Sequence, residues 1–80
     1  MIDWSKCPVV ESVPGKVSGA WVFKGTRLPL YVLFENLAAG ATIHDFIEWF
    51  GGVDESEVKA VLEHAAQELR TRVVHAHPVR

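Results

Sequence analysis

The sequence lacks the features on which disulfide-stabilised, secreted and membrane-spanning proteins depend. Its single cysteine, Cys7, cannot form a disulfide within the chain, and this favours a reducing compartment. No apolar run approaches the length of a membrane span, about 18 residues, and no signal-peptide core follows the N-terminus. We therefore expect a soluble protein of the cytoplasm.

The motifs of common enzymes are also missing. No serine or cysteine has a recognisable histidine partner, and no glycine-rich loop leads into a helix as phosphate-binding loops do. His75 and His77 lie close together near the C-terminus, but two histidines do not complete a metal site. We therefore expect no catalytic residues, no cofactor and no bound metal.

Basic side chains are scarce in the second half of the chain. Between residues 41 and 69, Lys59 is the one basic residue, against seven acidic residues: Asp45, Glu48, Asp54, Glu55, Glu57, Glu63 and Glu68. Residues 1–30 carry a small positive excess, and three arginines follow the acidic stretch. A division of charge of this kind concerns the partners of a protein rather than its fold.

The segment 21–30 separates a β-like N-terminal part from a helical remainder. It begins with aromatic and β-branched residues, Gly25 permits a bend, and Pro29 fits the first turn of a helix. Two short strands are expected around residues 9–13 and 20–23. An isolated hairpin is marginal in water, so it must pack on the helices or pair with another chain.

Apolar residues then recur at helical spacing in three segments: 30–39, 43–50 and about 55–72. Gly40 can end the first helix, Thr42 with Asp45 can cap the second, and Asp54 with Glu57 can cap the third. The sequence therefore predicts a mainly α domain in which the last two helices have the spacing of a helix-turn-helix. We divide the chain into three parts: an N-terminal β arm and hinge (1–29), a three-helix domain (30–73) and a tail (74–80).

Residues 19–30, GAWVFKGTRLPL, resemble the signature of the domain of unknown function 433 family. The resemblance covers roughly residues 7–67, and its specific part is the block 24–29 followed by LAAG at 37–40. It implies a homeodomain-like three-helix fold with a short N-terminal β-hairpin. It also implies an antitoxin-like protein paired with a PIN-like ribonuclease toxin.

The function suggested by this resemblance is the binding and neutralisation of that toxin. We expect the acidic third helix to contact a basic partner through Glu55, Glu57 and Glu63. Two alternatives stay open: a helix-turn-helix transcriptional regulator, and a dimerisation module with neither activity. DNA contacts, including autoregulatory ones, are expected to be weak and to come from basic residues of the arm and the C-terminal end: Lys16, Lys24, Arg27, Arg70 and Arg72.

Large aromatic residues exceed what a core of this size readily covers. A chain of 80 residues buries only about 60% of its unfolded surface. We therefore expect a homodimer formed through the β arm, with four aromatic residues at its interface: Trp4, Trp21, Trp49 and Tyr31.

Arg27 is open to two interpretations. It can form an ion pair within the chain, with Glu35 or with the acidic second helix, or it can contact a partner or a phosphate group. Of the two, we favour the pair within the chain.

Overall fold

The computed structural model describes residues 2–71 and shows three helices preceded by a β-hairpin. In chain order the elements are a single 3-10 turn (Trp4–Lys6), β1 (Val10–Glu11), a second 3-10 turn (Val17–Gly19), β2 (Val22–Phe23), α1 (Leu30–Ala38), α2 (Ile43–Trp49) and α3 (Glu55–Thr71). The predicted mainly α fold class is confirmed. Arg72, Val73 and the predicted tail 74–80 lie outside the described residues.

Strand β2 has hydrogen-bonded neighbours on both sides. It pairs antiparallel with β1, with Val10 opposite Phe23 and Glu11 opposite Val22. On its other side the Phe23 amide donates to the Leu28 carbonyl at 3.0 Å, and the amide at the start of α1 donates to the Trp21 carbonyl at 2.9 Å. The segment between β2 and α1 therefore turns back along β2, a pairing that the sequence analysis did not predict.

The two strands are shorter than predicted, and the chain that connects them has an unusual backbone. Four residues of this connection have positive φ angles, and two of them, Val17 (50°) and Ser18 (55°), are not glycine. Left-handed backbone cannot continue a β-strand, and it is uncommon for a β-branched residue. These angles therefore exclude residues 15–19 from the hairpin strands, whose pairing is limited to Val10–Glu11 and Val22–Phe23.

Two capping boxes predicted from the sequence set the starts of α2 and α3. The Asp45 amide donates to Thr42 Oγ1 and the Thr42 amide to Asp45 Oδ2, both at 3.0 Å. The Glu57 amide likewise donates to Asp54 Oδ1 at 2.9 Å, and the Asp54 amide to Glu57 Oε1 at 3.0 Å. These bonds satisfy amides that a helix start leaves without partners.

The hairpin and the helices share one hydrophobic core. Its buried residues come from the arm, from all three helices and from the turn before α3: Cys7, Val10, Phe23, Leu30, Leu33, Phe46, Val53, Val58 and Val61. Phe23 and Phe46 are both fully buried, and their ring centroids lie 6.3 Å apart. The hairpin therefore packs on the helices, which is one of the two arrangements expected from the sequence.

Residues 2–6 form an N-terminal strap across α1 and α3. The Trp4 ring centroid lies 6.3 Å from that of Phe34 and 5.2 Å from that of His64. His64 Nε2 lies 2.8 Å from the Asp3 carbonyl oxygen, so Nε2 carries the proton, because a carbonyl can only accept. The Asp3 amide also donates to Glu68 Oε1 at 3.1 Å. The strap thereby joins the start of the described chain to the second half of α3.

Candidate functional site

A shallow groove of about 390 Å³ lies between α2 and the start of α3. We call it the acidic groove, and it is lined by His44, Ile47, Glu48, Val53, Asp54 and Glu55. The three lining residues of α2 are spaced i, i+3 and i+4, so they share one face of that helix. The other three belong to the turn and to the first residue of α3, which brings them opposite that face.

The turn between the helices gives the groove an apolar floor. Gly52 has a φ of 96°, a conformation that side chains with a Cβ resist, and it redirects the chain into α3. Val53 directly precedes the Asp54 cap and is 7% exposed. Ile47 is half-buried against the core. The groove surface is therefore more apolar than polar, with carboxylates around it.

The electrostatic character of the groove is negative. It has three carboxylates, and a hydrogen bond from the Ser56 hydroxyl, followed by one from the Glu57 amide, lowers the pKa of Asp54. The N-terminus of a helix contributes roughly half an elementary positive charge. Three formal negative charges outweigh it, so the groove favours cations.

The three carboxylates predicted to bind a partner have different surroundings. Glu55 belongs to the groove and forms an ion pair with Lys59 at 3.2 Å, in which both side chains are more than half exposed. Such an exposed pair contributes about 1 kcal/mol or less and can be exchanged for another partner. Glu57 is held in the α3 capping box, and Glu63 is exposed further along the helix. Their binding role stays a prediction, but Glu57 also has a structural role.

The four residues predicted at a dimer interface divide into two pairs. Trp49 and Tyr31 are 60% and 57% exposed. Trp4 packs on Phe34 within the chain, and Trp21 is half-buried against the core. The homodimer stays a prediction, and Trp49 and Tyr31 are the residues of this set with most surface to offer it.

Only some of the basic arm residues predicted to contact nucleic acid are free to do so. Lys16 Nζ lies 3.2 Å from Glu11 Oε2, so its charge is already balanced. Lys24 and Arg27 are exposed beside the turn after β2. Within residues 2–71 the Arg27 side chain has no hydrogen bond or ion pair, so the favoured pair with Glu35 or α2 is absent there.

The C-terminal candidates add little to this basic surface. Arg70 Nη1 donates to Gln67 Oε1 at 3.0 Å and remains exposed. Arg72 lies outside the described residues. Within residues 2–71, Lys24 and Arg27 are therefore the exposed basic residues of this set on the arm, and Arg70 is the exposed one on α3.

Of the three carboxylates of α3 predicted to bind a partner, only Glu55 lines the groove, and the sequence analysis missed the α2 side of the groove. His44, Ile47 and Glu48 were read as parts of an amphipathic helix, although their i, i+3, i+4 spacing does place them on one face. The approach of this face to Asp54 depends on the turn geometry. No cluster of metal-ligating side chains occurs in the part of the chain that the structure describes, and no helix there is long and apolar enough to cross a membrane.

We expect the folded domain to lose stability in acid, because the carboxylates of two helix caps are protonated there. Bonds from Thr42 lower the pKa of Asp45, and the Ser56 and Glu57 bonds lower that of Asp54, from an ordinary value of 3.8. Groups with lowered pKa stabilise the fold above their unfolded-state pKa, and this contribution disappears as the pH falls through the folded-state value. We expect the urea midpoint to hold steady from pH 7 to about 5 and to fall below about pH 4.

Asp45→Asn is the matched variant for this prediction. Its side-chain oxygen can still accept from the Thr42 amide, but it does not titrate near pH 4. Its urea midpoint should therefore fall less steeply in acid than that of the parent protein. An unchanged slope would show that the Asp45 cap is not a source of the acid dependence.

Three helices, a packed hairpin and an acidic groove between α2 and α3 define a small helical domain. The chain belongs to a family described as "Protein of unknown function (DUF433)", whose model matches residues 10–65. It is also similar to the crystal structure of a DUF433 member protein from Anabaena variabilis, with a TM-score of 0.67 and 19% sequence identity. That match covers 79% of this chain and 62% of the other. A search of curated proteins gave no significant match.

Proposed function

We propose that this protein is antitoxin-like and that it binds and neutralises a PIN-like ribonuclease. The observation that supports this proposal is the acidic surface formed by α2 and the first half of α3, which includes the groove. A nuclease that binds RNA presents positive charge, and complementary charge favours fast and selective association of two proteins. The acidic surface would occupy or cover the basic face of the nuclease and so exclude RNA.

The same surface argues against the alternative of a helix-turn-helix regulator. The residues that would approach base edges lie at the start of α3, where Asp54, Glu55 and Glu57 are found. Affinity for duplex DNA depends heavily on neutralised phosphates, and these carboxylates repel them. DNA contacts would have to come from basic residues outside this acidic helix start, such as Lys24, Arg27 and Arg70.

Reversing the charge of α3 is the direct test of toxin binding. The double variant Glu55→Lys, Glu63→Lys changes two exposed positions and leaves the Glu57 cap intact. If the acidic face binds the ribonuclease, the Kd should rise at least about tenfold, a loss of about 1.4 kcal/mol. The measurement is calorimetric titration with the PIN-like protein encoded by the neighbouring reading frame.

Glu35→Lys is the control for general charge effects. Glu35 is an exposed residue of α1 and lies outside the groove, so its reversal should change the affinity by less than about threefold. If the control and the double variant lose the same amount of affinity for the ribonuclease, α3 is excluded as the binding surface. An adjacent reading frame without PIN-like acidic residues would argue against the toxin partner itself.

A gel-shift titration tests the regulator alternative. We expect the isolated protein to bind upstream duplex DNA weakly at physiological salt, with affinity falling steeply as salt rises. Arg27→Ala should reduce this residual binding, and Glu55→Ala should preserve or improve it. Sequence-specific nanomolar binding by the protein alone would instead support the regulator.

A further inference from the structure

We propose that the acidic groove holds the side chain of one arginine from a basic partner protein. This inference rests on the proposed function, since it names the contact by which an acidic surface would recognise a basic nuclease. The groove offers an apolar floor, Ile47 and Val53, beside three carboxylates. Its volume of about 390 Å³ is large enough for one long side chain.

Arginine matches both parts of this surface. Its methylene stem packs on apolar atoms while its charged end stays with polar partners. Its planar guanidinium presents several N–H donors in a fork that fits carboxylates bidentately, and it is less strongly hydrated than the ammonium group of lysine. The Ile47–Val53 floor would contact the stem, and the guanidinium would reach the carboxylates.

Glu48 is the carboxylate with the greatest freedom to take this role. It is exposed, and within residues 2–71 its side chain has no hydrogen bond or ion pair. Asp54 Oδ1 already accepts from the Ser56 hydroxyl and the Glu57 amide. Glu55 would first have to release Lys59. Glu48 can therefore bind a guanidinium without giving up another contact seen in this part of the chain.

A single negative charge elsewhere on the surface provides the matched control. Glu63 is exposed, lies outside the groove and forms no side-chain hydrogen bond or ion pair within residues 2–71, so Glu63→Gln removes the same charge as Glu48→Gln. Both variants alter exposed positions away from the core, and both should fold as the parent does. A difference between them would reflect position rather than net charge.

The first experiment uses the peptide acetyl-Gly-Arg-Gly-amide as the probe, titrated at millimolar concentrations into ¹⁵N-labelled protein. We expect amide shifts concentrated at residues 44–48 and 53–55. The neutral citrulline peptide should give none, and the lysine peptide should bind at least twofold more weakly. Glu48→Gln should weaken arginine binding at least threefold, while Glu63→Gln should leave it within experimental error.

Several results would overturn the proposal. Shifts spread over all acidic residues, equal weakening by the two variants, or equal binding of the citrulline peptide would each show that the groove has no specific site. Lysine binding equal to arginine binding would overturn the assignment to a guanidinium.

The second experiment separates this inference from the proposed function. The Glu48→Gln and Glu63→Gln variants are titrated with the ribonuclease of the neighbouring reading frame. A complex weakened at least fivefold by Glu48→Gln and within twofold by Glu63→Gln supports both proposals. If Glu48→Gln leaves the affinity for the ribonuclease unchanged, the antitoxin proposal stands and the groove contact is excluded. If the arginine peptide binds at the groove but the protein forms no complex with the ribonuclease, the groove site stands and the ribonuclease is rejected as its partner.

Discussion

Phe23→Ala should abolish most of the stability of this domain. Phe23 is fully buried, and its ring packs on Phe46 of α2, so its truncation leaves a cavity where the hairpin meets the helices. Phenylalanine-to-alanine changes in cores cost about 3–5 kcal/mol. Small domains have a total stability of about 5–15 kcal/mol, and this short chain should lie near the lower end.

Urea denaturation followed by circular dichroism measures this loss, with Tyr31→Ala as the control. Tyr31 is 57% exposed, so its truncation should change the free energy of unfolding by less than about 0.5 kcal/mol in the monomer. A loss below about 1 kcal/mol for Phe23→Ala would contradict a shared core. It would mean that the helices fold without the hairpin.

Thr26→Val should have the second-largest effect. Thr26 Oγ1 donates to the Phe23 carbonyl at 2.8 Å and accepts from the Leu28 amide at 3.0 Å, so one hydroxyl closes the turn that leads from β2 to α1. Valine keeps the shape but removes both bonds, and the half-buried Leu28 amide loses this acceptor. We expect a loss of about 1–2 kcal/mol in the free energy of unfolding.

Thr26→Ser tests whether the hydroxyl is the cause. Serine keeps both hydrogen bonds and removes the methyl group, which lies 3.8 Å from the position a Cβ on Gly52 would occupy. The serine variant should therefore lose clearly less stability than the valine variant in the same urea experiment. If the order is reversed, packing of the methyl group rather than hydrogen bonding stabilises the turn.

The parts of the fold that were predictable from sequence depend on neighbouring residues. The caps of α2 and α3 need a polar side chain and an acidic one three positions later, and both pairs are visible in the sequence. Gly25, with a φ of 79°, supplies the bend expected of it. Local bonds of this kind leave a signature because spacing along the chain fixes their geometry.

The remaining features depend on contacts between distant residues. The contacts of Trp4 with Phe34 and His64 were not predicted, because nothing in its sequence neighbourhood indicates either residue. Glu11 similarly accepts from the Gly25 amide at 2.9 Å, a contact across the hairpin. The acidic groove also needs a face of α2 to meet the turn before α3. Periodicity identified each helix, but it could not show which exposed faces would come together.

The N-terminal strap determines where anything attached to this end of the protein would emerge. Asp3 contacts His64 and Glu68, whereas the groove lies at the first residue of α3, Glu55. At 1.5 Å per residue these positions are roughly 14–20 Å apart along the helix axis. A fluorophore, a surface linker or a fused protein joined through the N-terminus would begin beside the second half of α3. Immobilisation through that end would therefore leave the groove open to a partner in solution.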